Sequence, residues 1–177
     1  MTQYEVERRA NLWLEDRLPS EATLERVYGG RDYYFTINPY LRVRDMKLVF
    51  QRNLNLICPQ SIQKWSVKKI EDGEVEETEK NVNALDALKI LNDSLGKPKV
   101  IMEGCRREYS LRDLRVCSDY VMNLGFWTEV EKVTKSKEEN GQALREVELA
   151  FESFGVKKDQ LVKELYPELL LKKQNSM

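Results

Sequence analysis

The sequence predicts an α+β protein in which a mostly antiparallel sheet curves into a barrel or tunnel and helices pack outside it. Several stretches alternate charged and apolar residues with a period of two, which is typical of β-strands. Other stretches space leucine, valine and phenylalanine with a helical period. The chain has 177 residues, of which 41% are hydrophobic and 33% charged, so we expect a single domain over residues 1–177 with a sizeable core.

The overall composition limits the class of partner and the cellular compartment. The net charge is −1, which does not favour binding to nucleic acid or to an anionic membrane, so any anion site must come from locally clustered Arg and Lys. The charged N-terminus and the lack of a long apolar run predict neither a signal peptide nor a transmembrane helix. Cys58, Cys105 and Cys117 lack CxxC spacing and are odd in number, so we expect a cytoplasmic protein with reduced thiols.

The sequence contains no histidine. This absence excludes Ser-His-Asp and Cys-His catalysis, histidine-bearing zinc sites and an imidazole general base. An enzyme of this composition must therefore use carboxylates, Lys, Arg, Tyr or a carboxylate-bound metal.

The first predicted strand, Tyr4 to Ala10, has the most informative charge pattern. Side chains alternate across a strand, so Glu5, Glu7 and Arg9 share one face and Tyr4, Val6 and Arg8 the other. Two carboxylates could hold a hard cation such as Mg²⁺ or Mn²⁺, while the guanidinium could face an anion. A solvated strand face is the alternative interpretation.

The next elements are a predicted short helix and a predicted hairpin. Ser20 is a possible N-cap, and Gly29-Gly30 is expected to end a helix whose apolar stripe comprises Leu24, Val27 and Tyr28. Asp32 to Arg44 is rich in aromatic and β-branched residues and contains the turn signal Asn38-Pro39, which predicts a hairpin with Arg42 and Arg44 on one face. Met46 to Ile57 is predicted to be a further strand region that ends before Pro59.

The middle of the chain predicts a second hairpin followed by a helix. Lys64 to Ile70 is strand-like with Ser66 and Lys68 on one face, Glu71-Asp72-Gly73 is a turn signal, and Glu74 to Lys80 alternates again with Glu77 and Glu79 on a common face. The leucines from Leu85 to Leu95 then follow a helical period, with Asn83 as the expected N-cap and Gly96 at the end.

The second half repeats this order of strands and then helices. Strands are predicted for Lys99 to Tyr109, Arg115 to Val121 and Phe126 to Val133, and the last of them carries Glu129 and Glu131 on one face. Two helical segments follow, the first with a stripe from Leu144 to Phe154 and the second from Leu161 to Leu170. Because mixed acids and bases recur on at least four strands, the pattern favours charged faces that converge on a polar interior.

The order of motifs resembles the CYTH, or triphosphate tunnel metalloenzyme, superfamily and in particular its class IV adenylate cyclase branch. The segment Glu5-Val-Glu-Arg-Arg9 is similar to the N-terminal Glu-x-Glu-x-Lys signature, and Leu41-Arg-Val-Arg44 is similar to the second block. Lys64-Trp-Ser-Val-Lys68 resembles the strand that ends in an anion-binding Lys, and the late blocks resemble the stretch from Val116 to Glu131. The C-terminal Leu165-Tyr-Pro-Glu-Leu-Leu170 also matches.

The resemblance implies an eight-stranded antiparallel tunnel that binds ATP or another triphosphate together with Mg²⁺ or Mn²⁺. It assigns the metal to acidic positions and the phosphate oxygens to basic positions. The implied metal ligands are Glu5, Glu7, Glu129 and Glu131, with Asp119 as a helper. The implied triphosphate-binding residues are Arg9, Arg42, Arg44, Lys68 and Arg106.

Two departures from the family pattern bear on the expected reaction. Arg9 replaces the signature Lys, and the Lys-x-Arg pair of the sixth strand is Gly104-Cys-Arg106, which lacks one tunnel cation. The leading hypothesis is a cyclase-like reaction that converts ATP to cyclic AMP and pyrophosphate, and the alternative within the same site is an inorganic or nucleoside triphosphatase. A non-catalytic polyphosphate or nucleotide sensor is the alternative of another class. For the oligomeric state, a homodimer is one of the options that the sequence allows.

Overall fold

The computed structural model describes residues 3–37, 39–52, 60–71 and 74–176. These residues contain eight β-strands and three α-helices. The strands are β1 (Gln3–Ala10), β2 (Thr23–Ile37), β3 (Tyr40–Gln51), β4 (Gln60–Glu71), β5 (Glu74–Asn81), β6 (Val100–Leu111), β7 (Leu114–Val121) and β8 (Gly125–Thr134). The helices are α1 (Ala84–Leu95), α2 (Asn140–Ser153) and α3 (Tyr166–Asn175).

The eight strands form one closed antiparallel barrel in the order β1-β5-β4-β3-β2-β6-β7-β8. Closure depends on β1, which pairs with β5 on one side and with β8 on the other. The predicted fold class, an α+β protein built on an antiparallel barrel with external helices, is therefore confirmed.

Helices α1 and α2 pack on the outer face of the barrel and bury apolar side chains there, whereas the start of α3 lies at the interior, where Tyr166 and Pro167 line the central cavity. Val116 of β7 and Val130 of β8 pack with Val147 and Phe151 of α2 in one core cluster. Helix α1 packs on β3 and β4. The side chain of Asn83, the N-cap of this helix, accepts a hydrogen bond from the backbone N–H of Asp86, as expected. In the described residues no helix is both long and apolar enough to cross a membrane.

The predicted helix between Ser20 and Gly30 is wrong, because this stretch lies in the long strand β2. Strand β2 pairs with both β3 and β6, so tertiary pairing overrides a helical spacing of only three apolar residues. Gly30 does not end a helix. A Cβ at this position would lie 2.3 Å from the backbone oxygen of Asp45, so Gly30 permits close approach of β3.

The strand region predicted from Met46 is present as far as Gln51, but it continues the second arm of the hairpin as one strand, β3, from Tyr40 to Gln51. The final part of the predicted region, residues 53–57, lies outside the described residues. Asn38 of the first predicted turn, Asp72-Gly73 of the second and Cys58 lie outside them too, as does the side chain of Glu77. The other predicted strands and helices are present with boundaries shifted by a few residues, except that the last helix begins only at Tyr166, so the segment from Leu161 to Leu165 is not helical.

Candidate functional site

The inward faces of the strands enclose a polar cavity of about 230 Å³. Its lining, within the described residues, includes eight Arg and Lys and six Glu side chains. The cations are Arg9, Arg26, Arg42, Arg44, Lys64, Lys68, Arg106 and Arg115, and the acids are Glu5, Glu7, Glu79, Glu108, Glu129 and Glu131. The alternating charges of the sequence therefore point into the barrel.

Three of the cavity carboxylates form one compact group, which we name the acidic trio. Glu5, Glu7 and Glu131 each offer a carboxylate oxygen, and these atoms lie within 4.8 Å of one another. All three side chains are buried. Alternation on β1 supplies Glu5 and Glu7, and the pairing of Glu7 with Glu131 across β1 and β8 places the third acid beside them.

Lys68 and Arg115 each contact two members of the acidic trio. Lys68 Nζ lies 2.9 Å from Glu5 Oε1 and 3.3 Å from Glu7 Oε2. Arg115 forms an ion pair with Glu131, and its Nη2 lies 3.8 Å from Glu5 Oε2. Since like charges this close repel strongly in a buried site, these cations offset the mutual repulsion of the carboxylates.

Arg9 links the acidic trio to the rest of the cavity. Its Nη2 lies 2.9 Å from Glu7 Oε2 and 2.5 Å from Glu129 Oε2, and its guanidinium lies 5.1 Å from the ring centre of Tyr166. Burial lowers the pKa of Arg9, but Glu129 and Glu7 outweigh burial and raise it above its ordinary value. The Nε and Nη1 atoms of Arg9 are buried and have no hydrogen-bond partner among the described residues.

Two arginines of the cavity are held by buried aspartates in the same geometry. Arg44 donates from Nε and Nη2 to the two carboxylate oxygens of Asp32 at 2.9 and 2.8 Å. Arg106 donates from Nε and Nη2 to those of Asp119, both at 2.6 Å. In each pair the two residues lie directly opposite on neighbouring strands. Such bidentate pairs fix the guanidinium plane, and each uses only two of the three guanidinium nitrogens.

The cations of the cavity shift the titration of the buried acids. Burial raises the pKa of Asp32, but Arg44 and Arg42 outweigh burial and hold it below the ordinary value. Burial also opposes ionisation of Glu129, yet Arg106 and Arg9 keep its pKa well below the ordinary value. Burial raises the pKa of Tyr28 to about 12. Asp32 and Glu129 are therefore ionised and Tyr28 is neutral near pH 7.

The acidic trio fits a hard divalent cation, because Mg²⁺ and Mn²⁺ prefer carboxylate oxygens. Glu7 Oε1 is buried and has no hydrogen-bond partner within the part of the chain that the structure describes, so one acceptor remains for a ligand. Glu129 and Asp119 lie outside the trio. Glu129 contacts Arg9 and Arg106, while Asp119 accepts from Arg106 and from the Tyr166 hydroxyl at 2.7 Å.

The structure brings all the basic positions of the sequence prediction to the cavity and adds residues that the sequence did not single out. Asp32 and Arg115 are the most informative additions, since one orients Arg44 and the other contacts the acidic trio. Both share the inward face with predicted site residues, Asp32 opposite Arg44 and Arg115 four residues before Asp119. Strand alternation could have placed them on the inward face, but it does not identify their partners across the strands.

Gly104, for which the resemblance of the sequence predicts a cation, lies at a close approach of two backbones. A Cβ at Gly104 would lie 2.2 Å from the backbone oxygen of Tyr120 on β7. No Cβ can be placed so close to a backbone atom without moving one of the strands. The spacing of β6 and β7 therefore leaves no room for a side chain at this position.

Comparisons with known proteins give a fold but no family. No protein-family model matches the chain, and no curated protein matches it. Among solved structures, the chain is similar to the PH1819 protein of Pyrococcus horikoshii, with 22% identity, a TM-score of 0.78, and coverage of 96% of this chain and 99% of that one. A conserved hypothetical protein of Pyrococcus furiosus matches with 23% identity, a TM-score of 0.75, and coverage of 93% and 99%.

A third solved structure carries a functional description. It is a protein of Vibrio parahaemolyticus described as "a putative adenylate cyclase", with 16% identity, a TM-score of 0.70, and coverage of 95% of this chain and 98% of that one. At this identity the likeness concerns the fold alone. The chain therefore shares the fold of these solved structures, and the cavity of its barrel contains a buried acidic cluster.

Proposed function

We propose that this protein is a metal-dependent enzyme that binds a triphosphate in its tunnel and catalyses phosphoryl transfer, most simply the conversion of ATP to cyclic AMP and pyrophosphate. The observation that carries the proposal is the cavity's combination of a carboxylate trio with a wall of arginines, one of which, Arg9, keeps two buried nitrogens without a hydrogen-bond partner among the described residues. Buried unpartnered donors are costly, and a phosphate oxygen would satisfy them.

The basic side of the cavity is suited to a polyanion. A triphosphate carries about four negative charges, and bidentate guanidinium contacts are the strongest phosphate contacts that a side chain offers. Arg9, Arg42, Arg44, Lys68 and Arg106 would contact phosphate oxygens. Because Asp32 and Asp119 fix two of these guanidinium groups, part of the ordering cost is met before the ligand binds.

The acidic trio would hold the divalent cation beside the phosphates, with Glu129 and Asp119 supporting it through Arg9 and Arg106. A bound Mg²⁺ or Mn²⁺ supplies charge neutralisation at the phosphoryl oxygens and a lower pKa for an attacking hydroxyl. Positioning and electrostatics dominate phosphoryl transfer, so a site without histidine is chemically adequate.

The same site could direct either of two nucleophiles. In the cyclase reaction the ribose 3′-hydroxyl attacks the α-phosphorus of ATP and pyrophosphate leaves. In the triphosphatase reaction water attacks a terminal phosphorus and orthophosphate leaves. The fold shared with the Vibrio parahaemolyticus protein supports the first, and we retain the second as an alternative.

The test is to incubate the purified protein with ATP or inorganic triphosphate and Mn²⁺ and to measure cyclic AMP, pyrophosphate and orthophosphate. We expect Arg9→Gln and Glu131→Gln each to lower turnover at least about 100-fold, since Arg9 would stabilise developing charge on phosphoryl oxygens directly and Glu131 would hold the metal that does so. Arg31→Gln is the matched control, because Arg31 is exposed and pairs with Glu103 away from the cavity lining. Full turnover in Glu131→Gln would refute the metal assignment.

A non-catalytic polyphosphate sensor is a second candidate. It is favoured by the ion pairs that already engage Glu5, Glu7 and Glu131, and by Gly104 in place of a tunnel cation. A sensor would show an increase in melting temperature with triphosphate and no product in the same assay.

A further inference from the structure

We infer that Arg115 competes with the divalent cation for Glu5 and Glu131, so that metal and triphosphate strengthen each other's binding. This inference rests on the proposed function, because it concerns how the same tunnel is loaded. It assigns a role to a residue that lies outside the motifs of the sequence.

The contacts of Arg115 place its charge on the acidic trio. The guanidinium pairs with Glu131, and its Nη2 also lies 3.8 Å from Glu5 Oε2. Nη1 lies 3.8 Å from Glu108 Oε2, a carboxylate outside the trio. A divalent cation that takes oxygens from Glu5 and Glu131 must therefore replace an existing positive charge at the same carboxylates.

Arg115 is more exposed to solvent than Arg9 and Lys68, the other cations that contact the trio. Its side chain is 38% exposed, whereas Arg9 is 3% and Lys68 12% exposed. A long side chain that already reaches water can reorient at a small cost in desolvation. Arg115 is consequently the cation that we expect a metal to displace.

The displaced guanidinium then lies in a cavity wall that already carries several cations. Without an anion, a bound metal adds positive charge to this wall, and the displaced Arg115 moves closer to other cations. Both changes increase electrostatic repulsion and therefore weaken metal binding. A triphosphate gives the released guanidinium and its neighbours an anionic partner. Metal should thus bind weakly alone and tightly with triphosphate, and by reciprocity triphosphate should bind more tightly with metal.

The test is isothermal titration calorimetry with Mn²⁺ alone, with inorganic triphosphate alone, and with Mn²⁺ in saturating triphosphate. For the native chain we expect triphosphate to strengthen Mn²⁺ binding by a factor of at least about 10, within the usual range of coupling between sites. In Arg115→Gln we expect Mn²⁺ alone to bind at least about 10 times more tightly than in the native chain, because the competing charge is gone, and the coupling factor to fall.

Two further variants separate this role from a general charge effect. Arg26→Gln removes the same charge from the same cavity, but Arg26 contacts Glu108 at 3.5 Å and has no described contact with the trio, so Mn²⁺ affinity should change less than threefold. Arg115→Lys keeps the charge and should bind Mn²⁺ alone with near-native affinity. Circular dichroism melts confirm that each variant is folded before titration.

The outcomes distinguish this inference from the proposed function. Unchanged or weaker binding of Mn²⁺ alone in folded Arg115→Gln would overturn the role of Arg115, even if triphosphate binds and is turned over. Equal tightening in Arg26→Gln would also overturn it. If triphosphate fails to bind the native chain with or without Mn²⁺, the proposed function fails, while the competition between Arg115 and Mn²⁺ can still be measured.

Discussion

Individual buried carboxylates determine how the tunnel cations are held. Asp32 is fully buried and binds Arg44 through two hydrogen bonds, with Arg42 Nη1 at 3.6 Å from its second oxygen. A buried bidentate pair is expensive to break, because the remaining partner keeps its charge without compensation. Asp32 therefore matters to stability as well as to the orientation of Arg44.

We predict that Asp32→Asn lowers the free energy of unfolding by about 3–5 kcal/mol near pH 7, since it leaves Arg44 without its anion. Urea unfolding at a series of pH values checks this. The pKa of Asp32 lies below its ordinary value of 3.8, so its contribution is complete above that pH and is lost as the pH falls further. The difference between native chain and variant should accordingly shrink below about pH 4.

Asp45→Asn is the matched control for this experiment. Asp45 lies on β3 next to Arg44 and accepts one hydrogen bond from Gln63 at 3.0 Å. Loss of this hydrogen bond should lower the free energy of unfolding by only about 0.5–1.5 kcal/mol. An equal cost for both aspartates would contradict the assigned role of Asp32.

Part of the site follows from the sequence because strand alternation fixes which residues share a face. Glu5, Glu7 and Arg9 are three inward residues of one strand, and the structure places all three in the cavity. Arg115 and Asp32 were missed because their importance comes from cross-strand partners. Register is set by the pairing of two strands, as for Arg115 on β7 opposite Glu131 on β8, and cannot be deduced from the alternation of one strand alone.

At the scale of elements, glycines gave the most misleading signal. Gly29-Gly30 resembles a helix end after a short apolar stripe, yet it lies within β2, where neighbouring backbones come close. Helices α1 and α2 were predictable because their apolar spacing extends over more than three turns. A helical pattern of only three apolar residues does not outweigh the stabilisation that β2 gains from pairing with β3 and β6.

We predict that Gly104→Ala lowers the free energy of unfolding by about 1–3 kcal/mol, because the added Cβ would lie 2.2 Å from the Tyr120 backbone oxygen and force β6 and β7 apart. Thermal and urea unfolding give the measurement. Gly141→Ala in α2 is the control, since nothing lies within 4 Å of a Cβ there and Ala favours a helix by up to about 1 kcal/mol. Unchanged stability in Gly104→Ala would contradict the close approach of these strands.

At the scale of the whole molecule, a chain with a net charge of −1 concentrates opposite charges in one enclosed volume. Apolar residues on the outer strand faces pack under α1 and α2, which leaves the inner faces free for charged groups. The closed barrel excludes an exposed sheet edge and holds these groups at fixed distances. We propose that the resulting cavity is preorganised for a polyanion with a cation.

The most direct measurement of that claim is a crystal structure of the protein soaked with inorganic triphosphate and Mn²⁺. We predict phosphate oxygens on Arg9, Arg42, Arg44 and Arg106 inside the barrel, and anomalous scattering from Mn²⁺ at Glu5, Glu7 and Glu131. Triphosphate bound only on the outer surface, or Mn²⁺ absent from the three glutamates while triphosphate fills the tunnel, would contradict the account.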